Sequence, residues 1–199
     1  MSFSLHVLSL GKRDKIEIPE YSTIYVSDES KEYDARYSNI YQFMTMQEGQ
    51  WFSIDKEPFP YDIIDIPRVC DIDYEKAESG QRKYPEWIDN EDTIYDLYPL
   101  LIYDYVFEDF EHLLRYMLDQ SPLSKIMFLA RVQGTYEEIV CGTIPIDKFI
   151  SKLKNTEVQF NICYIISKDS TIPDYVPSKD DEFGEDDFRP FNGRFYFRD

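Results

Sequence analysis

Hydrophobic residues recur along this chain with two different periods, and the switches between them mark out its elements. Phe3, Leu5 and Val7 alternate with polar positions, which predicts a strand buried on one face. The alternation returns over Lys15–Ile18 and Thr23–Val26, after the breakers Gly11 and Pro19, and predicts two more short strands. Segment 28–47 fits both periods. Tyr33, Tyr37, Tyr41 and Met44 recur at helical spacing behind a possible cap at Ser30, while Ile40, Gln42, Met44 and Met46 fit a strand. Trp51–Ile54 and Tyr61–Ile66 read as strands on either side of Pro58 and Pro60, and the polar run 68–92, with Gly80 and Pro85, reads as a long surface loop.

The period then changes to 3.6 and predicts a helix over about 104–119. At 100° per residue Val106, Phe110, Leu113, Leu114, Met117 and Leu118 share one side, with Phe107 at its edge. Glu108, Glu111, His112, Arg115 and Asp119 fall opposite, and Ser121 before Pro122 ends the run. Tyr103 and Tyr105, at the start of this helix, read as core aromatics. Beyond it, Lys125–Val132 predicts a strand, Gln133–Thr135 a turn, and Glu138–Ile144 a second strand returning as a hairpin. A short helix follows over Ile146–Lys154, with Phe149, Ile150 and Leu153 inward. Glu157–Ser167 reads as one long strand, with Val158, Phe160, Ile162, Tyr164 and Ile166 on one face.

Strands and helices in this order predict an α+β fold, a mainly antiparallel sheet with helices packed on one face. The expected organisation is a single domain over 1–167 and a C-terminal segment over 168–199. That segment is broken by Pro173, Pro177 and Pro190, is acidic through Asp180–Asp187, and becomes aromatic and basic at its end. There Phe195 and Phe197 alternate with Tyr196 and Arg198, a pattern that suits a docked edge strand.

Composition changes the picture in one respect. The 199 residues include 17 Tyr and 14 Phe, an aromatic content that sets the chain apart from disordered acidic polymers. Against that ordinary globular background, 21 Lys and Arg oppose 39 Asp and Glu, a net charge of -18. Such a field repels nucleic acid and anionic membranes and draws in basic surfaces through fast, salt-sensitive association. Cys70, Cys141 and Cys163 are odd in number and lack CxxC spacing, so they read as reduced thiols from a reducing, cytoplasmic setting. No run of residues approaches the roughly 18 apolar positions of a membrane span.

The sequence is poor in recognisable chemistry. With 7 glycines and neither a GxxxxGK nor a GxGxxG loop, it offers no phosphate cradle, and it has no GxSxG or HExxH. Its two histidines are His6, in a strand, and His112, on the polar side of the helix and away from the cysteines. Asp71 with Asp73, and the run Asp180–Asp187, have the charge for Mg²⁺ or Ca²⁺ but not the ligand spacing of a calcium loop, and read as solvated surface. No catalytic residue, cofactor or metal is therefore expected.

The acid excess has a location. Between Pro60 and His112 fifteen Asp and Glu face four Lys and Arg, with Tyr61, Tyr74, Tyr84, Trp87, Tyr95, Tyr98, Tyr103 and Tyr105 threaded among them. Tyr and Trp bury large areas at low rotamer cost and anchor interfaces, while clustered carboxylates steer and pair with a partner's Arg and Lys. The candidate partner-binding residues are Asp73, Glu75, Tyr84, Glu86, Trp87, Asp89, Glu91, Asp92, Tyr95, Asp96, Tyr98, Glu108 and Glu111. In size and charge the chain looks like the bacterial immunity proteins of toxin–immunity pairs, a likeness of class that rests on no motif. The expected function is binding and masking a basic toxin, nuclease or nucleic-acid-binding protein. The alternatives are a DNA-mimic (anti-restriction-type) inhibitor, an enzyme of unrecognised class, and a structural or adaptor component of an assembly. Oligomeric state is left open by the sequence.

Overall fold

A computed structural model describes residues 3–12, 14–29, 44, 47–55, 63–65, 99–132, 138–172, 182–183 and 193–196. In chain order the elements are β1 (Phe3–Leu10), β2 (Tyr25–Glu29), β3 (Gly49–Asp55), β4 (Ile64–Asp65) and β5 (Leu101–Ile102). They continue as α1 (Asp104–Gln120), β6 (Lys125–Val132), β7 (Glu138–Pro145), α2 (Ile146–Lys154), β8 (Ile162–Ser167), β9 (Glu182–Phe183) and β10 (Gly193–Tyr196). One mixed sheet runs in the order β2-β3-β1-β6-β8-β7-β10-β9, and β4 pairs separately with β5. Neighbours in the large sheet are antiparallel except where β7 meets β8 and β10. The architecture is α+β.

Strand periodicity sorts the core into two layers. Leu5 and Val7 of β1, Phe52 and Ile54 of β3, Ile126, Phe128 and Ala130 of β6, and Ile162, Tyr164 and Ile166 of β8 share one face. Both helices cover that face, α1 through Val106, Phe110, Leu113, Leu114, Met117 and Leu118, and α2 through Ile146, Phe149, Ile150 and Leu153. Apart from Ile146, these are the side chains that the helical periodicity selects. Phe128 lies at the centre, its ring edge-on to Phe110 (6.0 Å) and Phe149 (5.2 Å). The opposite face is buried as well: Leu8, Leu10, Trp51, Met127, Leu129, Cys163 and Ile165 cluster there with Met44. A sheet covered on one side only would expose these residues, so the central strands read as continuous apolar runs because both faces are dry.

Several strand expectations change. Lys15–Ile18 joins no ladder among the described residues, and the Ile16 N–H donates to the Gln50 side-chain Oε1 (2.7 Å) instead. The hairpin between β6 and β7 does not form. β6 is bordered by β1 and β8, and β7 instead runs parallel to β8 after crossing over through α2. A helix between two strands is the connection that parallel pairing requires, and it outweighs the local turn signal. The long strand expected over Glu157–Ser167 starts only at Ile162, because Asn161 adopts φ 66 and its N–H donates to the Ala130 carbonyl (2.7 Å). Asn tolerates this left-handed conformation better than most residues, and it breaks the ladder without disturbing the inward alternation of Val158, Phe160 and Ile162. The structure also places Gly193–Tyr196 parallel to β7, with Glu182–Phe183 outside it. Most of segments 28–47 and 168–199, and all of the loop 68–92, lie outside the described residues.

Candidate functional site

The flank of α1 turned away from the core is not simply a solvent face. It divides into two contact stripes. Tyr105, Asp109, His112 and Tyr116 recur at i, i+4, i+7 and i+11, so they form one row. Asp109, His112 and Tyr116 meet the segment leading into β2, and Tyr105 lines a cleft with it. Tyr116 donates its hydroxyl to the Glu17 carbonyl (2.7 Å), and His112 lies edge-on to Tyr21, ring centroids 5.7 Å apart. Asp109 Oδ2 accepts from the backbone N–H of Ser22 (3.0 Å) and Thr23 (2.9 Å) and from both hydroxyls (3.1 and 2.7 Å). The Thr23 hydroxyl chiefly, with the other three donors, holds this carboxyl below its ordinary range despite some opposing desolvation. Thr23 therefore serves the helix rather than a strand, which is why β2 begins only at Tyr25.

The second stripe binds α2. Arg115 bridges Glu111 (2.9 Å) and Asp147 (2.8 Å), and Lys154 reaches Glu111 (3.3 Å) while lying 5.0 Å from the Phe107 ring centroid. Burial alone would push the Glu111 carboxyl up, but hydrogen bonds from Arg115 and Lys154 outweigh it and hold it down. Glu111 is thus engaged within the molecule by two cations. Glu108 and Asp104 project outward, both exposed. Tyr103 packs against the core as its position suggests, whereas Tyr105, also expected inside, is 51% exposed and stacks on Tyr103 at 6.1 Å. Of the partner-binding candidates, Asp73, Glu75, Tyr84, Glu86, Trp87, Asp89, Glu91, Asp92, Tyr95, Asp96 and Tyr98 lie outside the described residues.

Two clefts open beside this framework. One, about 500 Å³, lies at the ends of β1 and β3, with Ser9, Gln50 and Trp51 in its wall and Lys12, Lys15, Asp28 and Glu48 around it. Its polar groups largely answer one another: Gln50 Nε2 donates to Asp28 (3.1 Å), and Lys15 stands 3.8 Å from the same carboxylate. Gly49 is needed here, since a Cβ would run into the Ser9 backbone carbonyl oxygen. The other cleft, about 600 Å³, is formed by residues 18–26 together with Tyr105. Tyr21, Tyr25 and Tyr105 line it, and Glu20 is the one charged residue in its wall among the described residues. Sequence reasoning missed this cleft because its two halves are some eighty residues apart and are brought together by tertiary contacts of Asp109, His112 and Tyr116.

Cys163 and His112 are kept apart. Cys163 is a buried thiol on the sheet face opposite the helices, so His112 on α1 cannot form a dyad with it. His6, 6% exposed, accepts a hydrogen bond at Nδ1 from Trp51 Nε1 (3.1 Å), which fixes the neutral Nε2–H tautomer. Burial, aided by Arg131, lowers its pKa to about 3. Among the described residues no group of three or more His, Cys, Asp or Glu is arranged to hold a metal ion. No described helix is long and apolar enough to cross a membrane. No family model, curated protein or solved structure matches the chain.

Proposed function

We propose that this chain is an acidic protein-binding module, an immunity-type inhibitor that masks the basic surface of a toxin or nuclease. The observation that supports this reading most directly is the first turn of α1, where the acid-rich, tyrosine-rich segment reaches the described part of the molecule. Asp104, Tyr105 and Glu108 are all exposed there, carboxylates flanking an aromatic ring. Exposed tyrosine within a negative field has the chemistry of a hot spot for a basic partner, with the ring supplying contact area and the acids supplying steering.

The test is affinity capture from the native source at about 0.05 M and about 0.5 M salt, where screening separates diffuse attraction from close contact. A single basic protein retained at both salts, with its activity suppressed, is the expected result. Several unrelated DNA-binding proteins lost together at high salt would instead favour a DNA mimic, which imitates phosphate spacing. Retention of no basic macromolecule at either salt would overturn the proposal.

A further inference from the structure

The cleft between residues 18–26 and α1 has a chemistry more specific than general acidity. Tyr25 (46% exposed) and Tyr105 (51%) are two of the three large apolar side chains most exposed among the described residues, and both line this cleft from separate elements. The third, Leu123, lies elsewhere, beside Gly11. Among the described residues no lysine or arginine lines the cleft, Glu20 lies in its wall, and Tyr105 shares an exposed helix turn with Asp104 and Glu108. Aromatic faces in a negative field attract cations, and the planar, weakly hydrated guanidinium stacks on such rings more readily than a hydrated ammonium does. Asp109 supplies rigidity: its four hydrogen bonds to Ser22 and Thr23, with the Tyr116 bond to Glu17, hold the loop wall against α1. A preorganised wall lowers the ordering cost of binding.

We infer that this cleft is the recognition site for an arginine side chain of a basic protein partner, with Tyr25 and Tyr105 as the stacking surfaces and Glu20 as the charge partner. The inference rests on the acidic-module reading and names the site within it. Asp109 is a positioning residue.

The probe is a hexa-arginine peptide, titrated into the full chain and followed by backbone amide NMR, with hexa-lysine alongside. Saturable hexa-arginine binding is expected, with the largest shifts in residues 18–26 and 104–108. The double variant Tyr25→Ser with Tyr105→Ser should weaken it at least tenfold, and because both residues are exposed the variant should keep its thermal midpoint. Asp109→Ala should weaken the peptide too and cost the Ser22 and Thr23 amides their exchange protection. Hexa-arginine binding with shifts elsewhere and undiminished affinity in the tyrosine variant would overturn the cleft while leaving the acidic module intact. Equal affinity for hexa-lysine would overturn the arginine assignment. If neither peptide nor any basic protein binds, the cleft and the module reading both fall.

Discussion

A histidine in a strand looks unremarkable in a sequence, yet His6 has the most shifted ionisation described in this protein. Its ring lies edge-on to Trp51, centroids 5.5 Å apart, and takes the indole N–H at Nδ1. Desolvation holds the folded-state pKa at about 3, against 6.5 for the free side chain. Between those values the unfolded chain binds the proton and the folded chain does not, so stability falls as pH drops from 6.5 toward 3. The slope contributed by His6 is up to about 1.4 kcal/mol per pH unit. Carboxylates titrate in the same range, so the informative measurement is a difference: urea unfolding of the native chain and of His6→Gln, which keeps an acceptor for Trp51. The stability gap between them should shift steadily against the native chain from pH 6.5 to 4, and a gap independent of pH would refute the assignment. Asp109 makes the same point about legibility. It is one carboxylate among 39 acids, and nothing local marks it as the one that pins a distant loop.

At the scale of elements, α1 shows how far a periodic pattern reaches. Its inward side chains are legible because burial of a helix face demands the 3.6 repeat whatever the face packs on. The partners are not legible. The same pattern says nothing about Phe128 fitting between Phe110 and Phe149, or about Arg115 choosing Asp147 on α2. Because Phe128 joins α1, α2 and the sheet, Phe128→Ala should cost about 3–5 kcal/mol in urea unfolding, the range for deleting a buried aromatic ring. Tyr105→Ser, at the second position of the helix and half exposed, should fall within about 0.5 kcal/mol of the native chain. Comparable losses in the two would mean that Phe128 does not occupy the joint described. The β7–α2–β8 crossover belongs to this scale too: all three elements are visible in the sequence, but the strand inserted between β6 and β7 is not.

Over the whole molecule the net charge of -18 acts on stability as well as on binding. Self-repulsion of that size opposes the compact state, and salt shortens its reach from about 30 Å at about 0.01 M to about 3 Å at about 1 M. Exposed pairs such as Lys168–Asp119 (2.7 Å) weaken under the same screening, but each contributes only about 0–1 kcal/mol. Repulsion summed over the chain should win, so the thermal midpoint should rise as KCl is increased across that range. A midpoint that stays level or falls would mean that local ion pairs, not the overall field, dominate.

What the sequence by itself determined is whatever depends on neighbours along the chain: the inward faces of α1 and α2, the alternation in β1 and β8, the strand character of β3 and β6, the acid excess, and the α+β class that follows. Periodicity and composition are local quantities, and burial selects on them directly. Only the tertiary structure decided which strands became neighbours, that the central strands are buried on both faces, and that Tyr105 turns outward to line a cleft with Tyr25. Each of those depends on residues far apart in sequence competing for the same edge, face or hydrogen-bond donor. Asp109 captures Ser22 and Thr23 only because the fold brings them within 3.1 Å, and with His112 and Tyr116 it holds one wall of the cleft against the helix.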